Sequence, residues 1–174
     1  MELDAGSCTL RPWRSGDRDT LATLADDRRI WRNMTDIFPH PYTIDDAEDW
    51  ITKCSREGDP PFSFTIVVDS APVGGIGAHL LSGEQRHVAN VGYWLTPGVW
   101  GRGIATDALR RFTRYLFDTF DVSRLYATVF GWNPASARVL EKCGYRLEGR
   151  RRDAIVKQGR VTDLLEYGLL QSDL

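Results

Sequence analysis

The sequence predicts one mixed α+β domain over residues 1–174, and three observations carry that expectation. Helical periodicity dominates the first third, an alternating antiparallel meander fills the middle, and the rest runs strand, helix, strand, helix, strand. A chain of 174 residues with 42% hydrophobic content is long enough for one sizeable core and short for two ordinary ones. Neither a repeat nor a linker-like stretch interrupts it.

Each element has a local reason. Ser7 to Trp13 alternates with period two, Cys8, Leu10 and Pro12 against Thr9 and Arg11, which suits a first strand that Pro12 confines to an edge or ends early. Asp17 reads as a helix N-cap, followed by Leu21, Leu24 and Ala25 at helical spacing to about Asp26. A second helical piece holds Ile30, Trp31 and Met34, and the two prolines of Phe38-Pro39-His40-Pro41-Tyr42 break it. Thr43 caps the next helix, with Asp45 and Asp46 in its first turn and Ala47, Trp50 and Ile51 facing inward.

From Phe62 the texture becomes β. Phe62 to Val68 and Val73 to Leu81 form a hairpin around Asp69-Ser70-Ala71-Pro72, and Glu84-Gln85-Arg86 opens a third segment that runs to Leu95. Ile104, Ala105, Ala108, Leu109, Phe112, Tyr115 and Leu116 then make one stripe of an amphipathic helix that stops near Asp118. Arg124 to Phe130 reads as a strand buried on both faces. Asn133-Pro134 starts a helix with Ala137, Val139 and Leu140 inside and Gly144 as its stop. Tyr145 to Arg150 and Val161 to Leu170 close the chain as strands around the turn Lys157-Gln158-Gly159.

The composition limits the partners. Twenty-two Lys and Arg against 24 Asp and Glu give a net charge of −2, so nothing overall recruits nucleic acid or an anionic membrane. Cys8, Cys54 and Cys143 are odd in number and far apart, with neither a CxxC pair nor a zinc spacing, which favours free thiols in a reducing compartment and no metal. The N-terminus lacks a signal-peptide pattern and no apolar run reaches membrane-spanning length, so the expectation is cytoplasmic, as a monomer or homodimer. Arg150-Arg151-Arg152 reads as a solvated strand edge near Asp153.

One loop carries chemistry. Trp100-Gly101-Arg102-Gly103-Ile104-Ala105 lies between a strand end and the amphipathic helix, where unpaired N–H groups and the positive end of the helix dipole attract an anion, most naturally phosphate. Glycines at 101 and 103 allow close approach, Ala105 keeps the first turn slim, and Arg102 adds charge. No Gly-Lys-Ser/Thr triplet is present, which excludes a P-loop. Thr106 stands where a dinucleotide fingerprint needs its third Gly, and Asp121 precedes the next strand instead of ending it. A pyrophosphate site of another kind remains.

At this point the chain resembles the GNAT superfamily of acyl-CoA-dependent N-acetyltransferases, and within it the RimJ/RimL-like branch that acetylates protein N-termini. The resemblance rests on five segments in the family's order: Leu10 to Asp17 (LRPWRSGD), Phe38 to Trp50 (FPHPYTIDDAEDW), Val91 to Leu109 (VGYWLTPGVWGRGIATDAL), Asn133 to Gly149 (NPASARVLEKCGYRLEG) and Gly159 to Leu170 (GRVTDLLEYGLL). It implies a GNAT fold, a mixed and mostly antiparallel sheet split between its fourth and fifth strands with helices on both faces. Acetyl-CoA is the implied co-substrate and a primary amine the acceptor, a protein N-terminus before a polyamine, aminoglycoside or amino acid.

The family's pyrophosphate pattern, Gln/Arg-x-x-Gly-x-Gly/Ala, falls on Trp100, Gly103 and Ala105, with Trp100 departing at the first position. By the same resemblance the strand ending Tyr93-Trp94-Leu95 pairs with the pantetheine arm. Asn133 is implied to bond that arm, Ser136 to protonate the departing thiolate, and Arg138 and Lys142 to approach the adenosine phosphates. Where the branch carries a Glu base before Gly-Tyr-Trp, this chain has Asn90, which accepts no proton at neutral pH but can hold a water or the amine. An α-amine, with an ordinary pKa of about 8, tolerates that loss better than a lysine amine at about 10.4, which favours a peptide N-terminus. A non-catalytic acyl-CoA-binding protein is the rival of a different class. As substitute proton relays, His87 sits on the opposite pleat from Asn90 unless a bulge intervenes, His79 on a strand surface, His40 in the packing of a loop that should border the acceptor groove, and Glu84 in the turn before the segment, from which it can reach through water. Cys143 reads as a small buried residue at a helix end.

Overall fold

The structure is a computed structural model that describes residues 1–174. Its eight strands are β1 (Leu3–Asp4), β2 (Thr9–Pro12), β3 (Ser63–Val68), β4 (Ala71–Leu80), β5 (Val88–Leu95), β6 (Arg124–Phe130), β7 (Arg146–Lys157) and β8 (Arg160–Leu170). Five helices, α1 (Arg18–Ala25), α2 (Arg28–Trp31), α3 (Ile44–Ser55), α4 (Ile104–Thr119) and α5 (Pro134–Lys142), accompany one sheet of order β1-β2-β3-β4-β5-β6-β8-β7. The mixed, mostly antiparallel α+β class read from the sequence is the one observed. The chain divides into two compact units, Met1–Gly77 with Tyr93–Phe112, and Ala78–Gly92 with Thr113–Leu174. No helix is long and apolar enough to cross a membrane.

In the first unit β1 to β4 form an antiparallel meander, with a bulge in the β3–β4 ladder between Ile66 and Val67. The alternation that predicted these strands is the alternation that fills the core. Leu10, Phe64 and Ile66 are fully buried, and Phe112 of α4 meets Phe64 edge to face at 5.8 Å. Trp13, Leu21, Ala22, Ala25, Tyr42, Ala47 and Ile51 pack as a second cluster beneath α1 and α3. Thr43 and Asp46 make a reciprocal capping box at α3, the hydroxyl accepting Asp46 N–H at 3.2 Å and the carboxylate accepting Thr43 N–H at 2.8 Å.

Asp17 corrects the sequence reading. It occupies the N-cap position of α1, but its side chain makes no cap bond. Its two oxygens accept instead from Arg11, at 2.7 and 2.8 Å, and one also takes Arg14 N–H at 2.8 Å. A charged partner within reach outcompetes a neutral backbone donor, because charge-assisted bidentate bonds are about twice as strong.

In the second unit β6 pairs along its whole length with β8, and β8 with β7 around the Gln158-Gly159 loop, both residues at positive φ. β5 pairs in parallel with β6 through Val88, Ala89 and Asn90 against Arg124, Leu125 and Tyr126. Two expectations change here. β6 is buried on one face only, with Leu125, Ala127 and Val129 inside and Thr128 exposed. β7 runs to Lys157 rather than stopping at Arg150, because Arg150 and Arg151 are held by Asp163 and Glu166 across the ladder. α5 ends in a Schellman pair, Gly144 N–H to the Glu141 carbonyl at 3.0 Å and Tyr145 N–H to the Leu140 carbonyl at 3.1 Å.

Candidate functional site

The glycine loop lies in the first unit, at the end of β5 and the start of α4. Pro97–Val99 form a 3-10 turn after the strand, and Thr96 N–H bonds the Val73 carbonyl of β4 at 2.8 Å. Gly101 and Gly103 then adopt φ of +74° and +82°, a backbone region that L side chains rarely enter. Nothing lies within 4 Å of the position a Cβ would take at either residue. Thr106 and Asp107 donate to the Gly103 carbonyl at 3.0 and 3.1 Å, while no bond within the chain is made by the N–H groups of Gly101, Arg102, Gly103, Ile104 or Ala105. Five donors in sequence at a helix N-terminus, the first three on exposed residues, are the chemistry a diphosphate requires. The residues present therefore fit the pyrophosphate of coenzyme A.

Trp100, the departure from the family pattern, has its own role. Its indole N–H donates to the Leu95 carbonyl at 2.8 Å, so the loop is fastened back onto the strand it leaves. That carbonyl keeps a second lone pair for another donor. α4 is also anchored at its first turn, where Ser7 Oγ donates to Asp107 at 2.6 Å and the Cys8 thiol approaches the Ile104 carbonyl at 4.0 Å. Burial, reinforced by the Asp107 charge, pushes the Cys8 thiol up to about 11, so it stays protonated at neutral pH.

The loop that precedes α3 rests on the same strand end. Phe38 meets Trp94 edge-on at 5.9 Å and Tyr42 at 5.1 Å. His40 stacks on Trp31 at 5.1 Å, with Nδ1 3.2 Å from the Asp26 carboxylate, whose same oxygen accepts Tyr42 N–H at 2.9 Å. Asp26 is the residue that reading the sequence missed: its partners lie 14 and 16 positions downstream, and only tertiary folding joins them.

The remaining residues lie in the second unit. Asn90 is half-buried where the β5–β6 register ends, and its amide donates weakly to the Tyr126 carbonyl at 3.4 Å, leaving Oδ1 as an acceptor. Asn133 is the N-cap of α5, its Oδ1 accepting Ser136 N–H at 3.3 Å, while its amide NH2 makes no bond within the chain. Arg138 and Lys142 are exposed along α5. His87 immediately precedes β5, not within it, and its Nδ1 lies 3.3 Å from the Asp121 carboxylate and 3.0 Å from the Asp121 carbonyl, fastening a turn. His79 is exposed on β4, and Cys143 is buried at the C-cap of α5.

A family model described as "Acetyltransferase (GNAT) domain" matches residues 8–146. The chain belongs to the GNAT acetyltransferase family. This GNAT protein is 28% identical over 170 residues to an uncharacterized N-acetyltransferase, p20, of Bacillus licheniformis, covering 95% of this chain and 93% of that one. Its fold superposes on RimJ of Mycobacterium smegmatis, solved with a CoA disulfide, with a TM-score of 0.84 at 25% identity, covering 100% and 88% of the two chains. It is 27% identical over 167 residues to a spermidine N(1)-acetyltransferase of Vibrio cholerae, over 94% of this chain and 93% of that one. As a GNAT enzyme it is an acyl-CoA-dependent N-acetyltransferase.

Proposed function

We propose that this GNAT enzyme, acting as one domain, moves the acetyl group of acetyl-CoA onto the α-amine of a peptide or protein N-terminus. The observation that carries the reading is the run of free N–H donors from Gly101 to Ala105 at the start of α4. Acetyl-CoA supplies a thioester carbonyl when bound, and the chain's residues aim it. Gly101, Arg102, Gly103, Ile104 and Ala105, with Trp100 bracing the loop, hold the diphosphate. In the first unit the strand end at Trp94 and Leu95 is assigned to the pantetheine arm; in the second, Asn133 carries a free amide for a hydrogen bond to coenzyme A, and Arg138 and Lys142 carry charge suited to its phosphates. Asn90 Oδ1 accepts a hydrogen bond from the incoming amine. A cytoplasmic setting suits such an acceptor and such a co-substrate.

The α-amine is favoured over a lysine because Asn90 stands where a base would, and a group with pKa about 8 is partly neutral without one. The likeness to a Bacillus subtilis relative named a putative ribosomal N-acetyltransferase, 32% identical over 108 residues, supports a protein acceptor. At a concentration 100 times its Kd, acetyl-CoA is expected to stabilise the fold by about 2.7 kcal/mol, a rise in melting midpoint of roughly 5–10 °C. No rise would remove the co-substrate from the reading. With free thiol followed at pH 7, N-terminal peptides should exceed spermidine in kcat/KM. The opposite order selects the second reading, a polyamine acetyltransferase, which the Vibrio cholerae relative favours.

Ser136, in the first turn of α5, is assigned to protonate the thiolate. Ser136→Ala should lower kcat by about tenfold, below the usual range for acid catalysis because a thiolate of pKa about 8.5 leaves readily. The KM for acetyl-CoA should stay within about twofold, and a change in KM alone would make Ser136 a binding residue.

A further inference from the structure

The fraction of an amine that arrives as ammonium needs a proton acceptor before it can attack, since it has no lone pair, and Asn90 cannot be that acceptor. The chain has three histidines. His79 is exposed on β4, and His87, whose Nδ1 faces Asp121, precedes β5 at the end opposite Trp94. His40 differs from both. Its Nδ1 is buried and has no hydrogen-bond partner, and it lies 3.2 Å from Asp26 Oδ1.

A buried ring nitrogen beside a carboxylate is held as N–H, because a bare lone pair there would face negative charge. That tautomer leaves the lone pair on Nε2, which makes no bond within the chain and is not among the buried unpartnered atoms. The ring is fixed by its stacking on Trp31, at 5.1 Å and 29° between planes. Asp26 is fixed in turn by Tyr42 N–H. The loop as a whole is seated on the end of β5 through Phe38 and Trp94, the strand end assigned above to the pantetheine arm. Asp26 and Asp27 are charged groups that interact with the ring, the latter already paired with Arg29 at 2.6 Å. The neighbouring Tyr42 phenol stays neutral, since burial and then Asp46 push its pKa far up.

We propose that His40, oriented by Asp26, is the group that takes the proton of the incoming ammonium at Nε2. The proposal rests on the reading of this chain as an amine acetyltransferase, and it holds for either acceptor class. One ammonium proton passes to Nε2 and the freed nitrogen pair forms the N–C bond. The C–S bond breaks with its pair on sulfur, a second proton leaves nitrogen, and the thiolate gains one to become the thiol. The imidazolium then returns its proton to solvent, so the sum is ammonium plus thioester to amide, thiol and one proton.

The test is the pH profile of kcat/KM for the best amine of the panel. In the parent an acid limb below the amine's own ionisation is expected, and His40→Gln, which keeps a hydrogen-bonding side chain but accepts no proton, should remove that limb, leave only the rise set by the amine, and lower the plateau about 100-fold. His40→Ala should regain about tenfold of its activity with added imidazole, a response that a merely structural role would not show. Acetyl-CoA affinity and melting midpoint serve as controls and should stay at parent values in His40→Gln. A plateau within about threefold of the parent, or no gain from imidazole, would overturn the assignment of His40 while the acetyltransferase reading stands. A parent that binds acetyl-CoA and acetylates no amine overturns both. Turnover on polyamines alone, with the limb still lost in His40→Gln, supports His40 and ends the peptide reading.

Discussion

Asp17→Asn is expected to lower the unfolding free energy by about 3–5 kcal/mol, because it strands the Arg11 guanidinium in a buried setting. The two side chains are 10% and 9% exposed, so solvent cannot replace the lost partner. For a chain of this length that loss corresponds to a fall of roughly 6–20 °C in melting midpoint, which thermal denaturation followed by near-ultraviolet dichroism would measure. The pH dependence has a definite sign. Burial alone would raise the Asp17 pKa, but the bonds from Arg11 and from Arg14 N–H hold it below the ordinary carboxylate value. A depressed native pKa stabilises the fold above the unfolded value, about 3.9, and that contribution disappears as pH falls through the native value. The Asn variant should therefore lose that part of the parent's acid transition. An unchanged midpoint would mean that the pair contributes geometry and no stability.

Gly103→Val is expected to weaken acetyl-CoA binding by at least about 30-fold, which is roughly 2 kcal/mol. The space around the Cβ position is open, so the cost is not a clash within the free protein. It comes from the backbone: a φ of +82° costs an L side chain about 1–2 kcal/mol, and a β-branched residue more. Relaxation of that strain turns the N–H groups of Gly103 and Ile104 away from their shared direction, and bonds to charged phosphate oxygens are the valuable ones, at about 1.5–3 kcal/mol each. Isothermal titration against acetyl-CoA is the measurement. Parent affinity in this variant would detach the diphosphate from the loop, and with it the functional reading.

Much of the fold was legible because its signals are local. The capping box of Thr43 and Asp46, the stripe from Ile104 to Leu116, Pro134 at a first helical turn and Gly144 at a last one each state their element within a few residues. The glycine loop was legible for the same reason, since its anion chemistry depends on the backbone between a strand and a helix. What escaped depends on partners distant in sequence. β1 is two residues long, too short for any period, and exists by pairing with Thr9 and Leu10. The middle of β7 carries Arg150, Arg151 and Asp153 instead of alternating apolar residues, and acids opposite on β8 hold it in the ladder. Asp17 was placed at a cap because the helix start is local, whereas Arg11 reaches it only across folded chain. His40 read as loop packing until Asp26 stood beside it.

The two outer strands of the sheet have a bearing on how the protein survives its own synthesis. An open β rim offers unpaired amide groups to any neighbouring molecule, and long, flat, apolar rims seed fibrous aggregates. Here one rim is β1, with only two residues to offer, and the other is β7, kinked at Asp153 and lined with arginines tied to Asp163 and Glu166. Both terminal edges thus carry built-in deterrents to illicit strand addition.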